Sequence, residues 1–192
     1  MLGNGERVEA DNGYRGEPDP VDLPEVLGNP VEMSTYFNAG FANNLHNRRS
    51  VTGIIIFLNQ TPVKWYSKRQ NTIETSMFGA ELVAACIATE LTMEIRYKLR
   101  MLGVPILNNT TLYGDNKSVI MNTTLPSSSL KKRHNAIAYH FVREAVAAGI
   151  IRLVHIPGKE NIADVLTKPL APNKLYELLK LVMFRNTPDL GG

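Results

Sequence analysis

Hydrophobic positions along this chain recur first with a period of two and then with a helical period, and the change of period sets out its elements. After Val31 come three strand-like runs. MSTYFNAGF is the first. SVTGIIIFL is the second, with Ile54, Ile55, Ile56 and Phe57 strongly strand-forming. In the third, PVKWYSK, Val63 and Trp65 alternate with Lys64 and Tyr66, which predicts a half-buried strand with Trp65 in the core. Asn59-Gln60-Thr61 is a short polar connection, so the second and third runs form a hairpin. From Ile73 to Met101 the spacing is helical, with Asn71 and Glu74 as a capping box at the start and Gly103 and Pro105 at the end.

A short strand, LYG, then leads into Asp115 and a brief helix, NKSVIMN. Beyond the polar TTLPSSS stretch, Leu130, His134, Ile137, Phe141 and Ala145 predict a helix up to Ala148, closed by Gly149. IIRLVHI reads as a strand, KENIADVLTK as a turn and short helix, and NKLYELLKLVMF as an amphipathic helix. The order β-β-β-α-β-α-α-β-α-α predicts an α/β fold: a mixed five-stranded sheet, three antiparallel strands and then parallel ones, flanked by helices.

Composition adds boundaries to this picture. Residues 1–30 carry nine Gly and Pro and no periodicity, and they read as a disordered acidic linker. Residues 31–170 form the predicted domain, and residues 171–192 a C-terminal helix and tail. The linker holds seven acids and two bases, a charge of −5, against +3 for the whole chain of 192 residues. The rest is therefore +8, which suits a polyanionic partner such as nucleic acid. Cys86 is the single cysteine, surrounded by alanines, and reads as a small core residue. One cysteine allows no internal disulfide, which suits a reducing, intracellular setting. The longest apolar run, GIIIFL, has strand length, so no bilayer span is predicted, and the first twenty residues lack the apolar core of a signal peptide.

Three acids stand in three different settings: Glu81 on a helix, Asp115 at a strand end and Asp164 at a helix start. Acids so placed can converge, and converging carboxylates hold Mg²⁺. His134 and His140 are six apart on one helix and point in different directions, so they read as packing or capping residues.

The strings NRRSVTGIIIFLNQTPVKWYSKRQ, GAELVAA, LYGDNKSVI and KRHNAIAYHFVREAVAAGIIRLVHIPGKENIADVLTKPL carry a more specific message. From Tyr36 to Leu170 the chain resembles the ribonuclease H domain of Ty1/copia-type retrotransposon polyproteins. The resemblance implies the ribonuclease H-like fold and hydrolysis of the RNA strand of RNA–DNA hybrids. It implies two Mg²⁺ ions, with Mn²⁺ as a substitute, and an upstream reverse transcriptase in the same polyprotein. It also implies an intracellular location, in a cytoplasmic particle or the nucleus.

By the same resemblance Glu81, Asp115 and Asp164 match catalytic, metal-ligating acids. The fourth, an Asp on the first strand, falls on Asn38. An amide keeps the shape and one carbonyl oxygen of the carboxylate but loses its charge. Neither Asn43 nor Asn44 replaces it, and Glu32 lies outside the strand end. Asn38 therefore fits a decayed copy, a centre neutralised so that it traps substrate, or a rearranged active site. With hydrolysis impaired, a hybrid-binding module or a structural appendage of the reverse transcriptase is the alternative. Arg48, Arg49, Ser50, Lys68, Arg69, Gln70, Asn116 and Lys117 are candidate contacts to the nucleic acid. Lys131, Lys132 and Arg133 open a helix, where cations oppose the helix dipole, and suggest an outside anion. His155, at a strand end before the last Asp, is a candidate for product release.

Overall fold

Strand β1 (Met33–Gly40) pairs antiparallel with β2 (Val51–Leu58), which pairs antiparallel with β3 (Thr61–Arg69). On its other side β1 pairs parallel with β4 (Thr110–Gly114), and β4 pairs parallel with β5 (Ile151–His155). The sheet order is β3-β2-β1-β4-β5, the mixed five-stranded sheet that the residue pattern predicts. Parallel pairs need long crossovers. Helix α1 (Met77–Met101) supplies the first, and α2 (Lys117–Thr124) with α3 (Ala136–Ala147) the second. A 3-10 segment, Ile162–Leu166, and helix α4 (Pro172–Leu179) follow β5. The computed structural model describes residues 25–42, 48–130, 133–180 and 182–183. Most of the expected linker, positions 43–47 with Asn43 and Asn44, Lys131, Lys132 and the C-terminal tail lie outside them. No described helix is long and apolar enough to cross a membrane.

One sheet face carries Phe37, Ile54, Ile56 and Leu112, all fully buried, against Ala80, Ala84, Ala85 and Ala88 of α1. Four small residues on the facing side of a helix let its axis come close to the sheet, so the first turns of α1 lie against the end of β1. Thr35 and Thr92 join their hydroxyls across this interface at 2.9 Å. On the opposite face Ile55 and Phe57 are covered by Ile162 and Leu178. Tyr36 stacks on Tyr113 there, with ring centroids 4.8 Å apart.

Four expectations need correction. First, α1 begins at Met77, capped by Ser76, whose Oγ accepts from Gly79 N at 3.2 Å. Glu74 is no cap: it is buried and accepts from Asn135 at 3.3 Å, with His134 also at 3.3 Å. Second, Trp65 is 71% exposed. Strand β3 is an edge strand whose inner face carries Lys64 and Tyr66, and Lys64 pairs with Glu94 of α1 at 2.8 Å. Trp65 therefore points to the opposite face. Third, α3 begins at Ala136 after a 3-10 turn at Arg133–Asn135 and buries Tyr139, Val142 and Ala145, while Ile137 is 87% exposed. Fourth, Cys86 is only half-buried, at the margin of the core beside Glu90, and burial followed by that carboxylate pushes its thiol up to about 12.

Gly53 of β2 sits opposite Asn38 of β1. A Cβ on Gly53 would lie 2.6 Å from Thr167 Cγ2, 2.8 Å from Ala163 O and 2.9 Å from Leu166 Cβ. The 3-10 segment thus rests directly on the bare backbone of β2. Gly53→Ala is expected to cost about 1–3 kcal/mol through overpacking and to lower the melting temperature. An unchanged melting curve would show that the segment does not sit there.

Candidate active site

The end of β1 is the floor of the site. Phe37 faces α1, so alternation turns Asn38 to the other side, where the 3-10 segment lies. Asn38 is buried and its Nδ2 donates to Asp164 Oδ1. One residue on, the Ala39 amide donates to Glu81 Oε1 at 3.1 Å, which ties the first turns of α1 to the strand. Glu81 Oε2 is buried with no protein partner. Asp115 follows β4 directly, half-buried, in contact with the Asn161 side chain. Asn161, fully buried, also donates to Phe37 O at 2.9 Å and accepts from Ala163 N at 3.1 Å. One amide thereby links β1, Asp115 and the start of the 3-10 segment.

Asp164 is almost inaccessible, and both of its oxygens are engaged. Lys168 Nζ lies 2.9 Å from Oδ1 and Lys174 Nζ 2.7 Å from Oδ2. The three acids are electrostatically coupled. Burial raises the Glu81 carboxyl to about 8, with Asp115 as the next contributor and Asp164 a smaller one; the Ala39 amide and Lys168 oppose the rise. Burial and then Asp164 also raise Asp115, against Lys168 and the Asn161 hydrogen bond.

The remaining expected site residues divide. Arg48, Lys68, Arg69 and Lys117 have exposed side chains. Ser50 is fully buried and its Oγ accepts from Ala42 N at 3.2 Å. Gln70, also buried, donates to Thr52 Oγ1 at 3.0 Å and to Ala80 O at 2.8 Å. Both side chains are thus bonded within the fold. Arg49 is half-buried. Asn116 caps α2, its Oδ1 accepting from Ser118 N at 3.1 Å and Val119 N at 3.2 Å. His155 is exposed, with Nε2 3.2 Å from the backbone oxygen of Asp115. Sequence reasoning missed Asn161, Lys168 and Lys174. Lys168 lies four residues after Asp164 and could have been paired with it by spacing. Lys174 lies on a separate helix, and no local signal connects it.

Among the described residues no three His, Cys, Asp or Glu side chains gather as a metal-holding group. Glu81 and Asp115 are the two acids here that could share one divalent cation. These two carboxylates repel each other, and Glu81 Oε2 lacks a partner. Asp164 is charge-balanced as it stands, by two ammonium groups and an amide, and would meet a cation only by releasing one of them.

Stability should follow pH through these shifts. Glu81 keeps its proton in the fold up to about 8, whereas the unfolded chain loses it near the ordinary value of 4.5. Between those values the folded state binds more protons, so its stability is complete below the ordinary range and falls as pH rises through about 8. Asp115 has the same sign. In chelator the melting temperature should fall across this interval, by about 2–4 °C for each kcal/mol lost. Glu81→Gln should flatten the slope; a melting temperature that climbs with pH would contradict the burial of this carboxyl.

No protein-family model matches the chain. Its sequence is 30% identical over 166 residues to the retrovirus-related Pol polyprotein from transposon RE2 of Arabidopsis thaliana, covering 86% of this chain and 11% of the polyprotein. It is 31% identical over 144 residues to that from transposon RE1 of the same plant, covering 75% of this chain and 10% of the polyprotein. The chain thus spans about a tenth of these relatives. The fold is similar to an N-terminal RNase H domain from Mycobacterium tuberculosis, with a TM-score of 0.55 and 11% identity over 78% of this chain and 97% of that one. It is also similar to LC11-RNase H1 in complex with RNA/DNA hybrid, with a TM-score of 0.52 and 16% identity over 71% of this chain and 93% of that one. The chain thus has the fold of RNase H domains, and its sequence is similar to one part of the Pol polyproteins of transposons RE2 and RE1.

Proposed function

We propose that this domain binds RNA–DNA hybrids where β1, β4 and the 3-10 segment end, and that its hydrolysis of the RNA strand is impaired at Asn38. The observation that carries this reading is the contact of four separate elements at one point: Asn38 with Asp164, Ala39 with Glu81, and Glu81 with the charges of Asp115 and Asp164. A similar fold in complex with a hybrid supports the substrate class. The upstream reverse transcriptase of the polyprotein is the proposed covalent partner.

In the proposed reaction water attacks the scissile phosphorus in line. The bond to the 3′ oxygen breaks and the RNA is released with a free 3′-hydroxyl. Glu81 and Asp115 would hold a divalent cation, and the chemistry it supplies when bound is neutralisation of charge building on the phosphate. Two features of the chain act against turnover. Glu81 keeps its proton up to about 8, and a protonated carboxyl is a poor ligand. Asn38 offers an amide donor where an anion would strengthen cation binding. Arg48, Lys68, Arg69 and Lys117 would contact backbone phosphates, and His155, whose ring nitrogen lies 3.2 Å from the Asp115 backbone oxygen, would assist product release. A binding module without turnover is the second reading, favoured by the neutral Asn38 and by the lysines that already balance Asp164.

Asn38→Asp separates these readings. It sets a carboxylate against Asp164 Oδ1, so in chelator the melting temperature should fall, and Mg²⁺ or Mn²⁺ should restore it. Cleavage of a labelled hybrid should rise at least about a hundredfold, the scale of one electrostatic catalytic group. An unchanged rate would sink the assignment of Asn38. Hybrid affinity should weaken steeply with salt, and Lys68→Ala should lower the slope of log affinity against log salt by about one. No affinity at low salt would leave only the structural-appendage reading.

A further inference from the structure

Asp164 meets two ammonium groups, and they come from different places. Lys168 follows it within one turn of chain. Lys174 arrives on α4, ten residues on. Its helical position is unfavourable: it lies in the first turn, where the positive end of the helix dipole repels a cation, and Ala171 gives α4 no side-chain cap. Its ammonium is nevertheless directed inward, 2.7 Å from Asp164 Oδ2 and 3.5 Å from Gly158 O. Gly158 in turn lies against Asp115, since a Cβ there would be 3.1 Å from Asp115 Oδ2. Helix α4 is held in place by Leu178, buried among Ile55, Phe57 and Ile162. Lys174 remains 37% exposed, so its head group can leave without unpacking that contact.

We propose that Lys174 is a built-in cation of this centre: α4 delivers its ammonium to Asp164, where it competes with a divalent ion for the carboxylate. The competition follows from charge and geometry. A carboxylate oxygen at 2.7 Å from an ammonium is already charge-balanced, and a metal ion at the same oxygen must displace the lysine. Lys174 also bridges the Gly158 carbonyl to Asp164, and so clamps the turn beside Asp115 to the 3-10 segment. The centre therefore stays assembled before any divalent ion arrives, at the expense of affinity for one.

This inference rests on the proposed divalent-cation site at Glu81 and Asp115, with Asp164 as its neighbouring carboxylate, and the measurement is metal binding, independent of hydrolysis. Mn²⁺ binding is followed by electron paramagnetic resonance for the full chain, Lys174→Met and Lys174→Arg, each also combined with Asn38→Asp. Lys174→Met removes the charge and keeps the stem, and should tighten Mn²⁺ binding by about tenfold or more, since a unit charge is returned to the ligand set. Lys174→Arg should bind Mn²⁺ as the native chain does. Equal or weaker binding by Lys174→Met, with native circular dichroism, overturns the proposal. Mn²⁺ bound by none of the six chains overturns both the proposal and the proposed cation site at Glu81 and Asp115. A second measurement needs no substitution: the lysine side-chain nitrogen resonance of Lys174 should shift toward its free position as Mg²⁺ is added. A resonance indifferent to saturating Mg²⁺ overturns the proposal.

Discussion

Carboxylates buried side by side repel one another and lose hydration, and every element around this centre is arranged to offset that cost. Three different remedies are used. Glu81 receives a backbone amide from β1 and otherwise holds its proton. Asp115 keeps partial access to water and a hydrogen bond from Asn161. Asp164, with the least access, takes two ammonium groups and the Asn38 amide. Without these partners the acids could not sit at the junction of β1, β4, α1 and the 3-10 segment.

The packing exists on the same terms. The alanine stripe of α1 brings Glu81 within reach of the Ala39 amide. Bare backbone at Gly53 allows the 3-10 segment to lie on β2, which sets Asp164 over Asn38. Leu178 anchors α4, and α4 then presents Lys174. A helix that the residue pattern leaves outside the domain thus contributes directly to the charge balance inside it.

Asn38 and the two lysines act in the same direction. Each leaves less net negative charge than a carboxylate set without them would offer a divalent ion. Asn161 has a separate part: as a neutral, fully buried bridge it sets the distance between strand and segment without adding charge. The fold is consequently well satisfied in its hydrogen bonds around Asp164 and poorly satisfied at Glu81 Oε2, where the remaining electrostatic demand is concentrated.

Sequence by itself determined the succession of strands and helices, because apolar period and turn residues are local properties. Gly103 and Gly149 end α1 and α3 with φ of 72° and 67°, where their lack of a side chain makes the turn inexpensive. The resemblance likewise identified the four positions Asn38, Glu81, Asp115 and Asp164. Local pattern failed wherever a distant element chose the partner. Trp65 and Lys64 alternate in either register, and only the placement of α1 beside β3 decided which faces inward. Ser50 and Gln70 read as candidate nucleic-acid contacts, yet both side chains are buried and bonded within the fold. Glu74 matched a cap by spacing, but His134 and Asn135, some sixty residues away, hold it. Whether Asp164 faces a metal ion or a lysine was decided by tertiary structure alone, because the competing charge at Lys174 enters on a helix whose docking no short stretch of chain encodes.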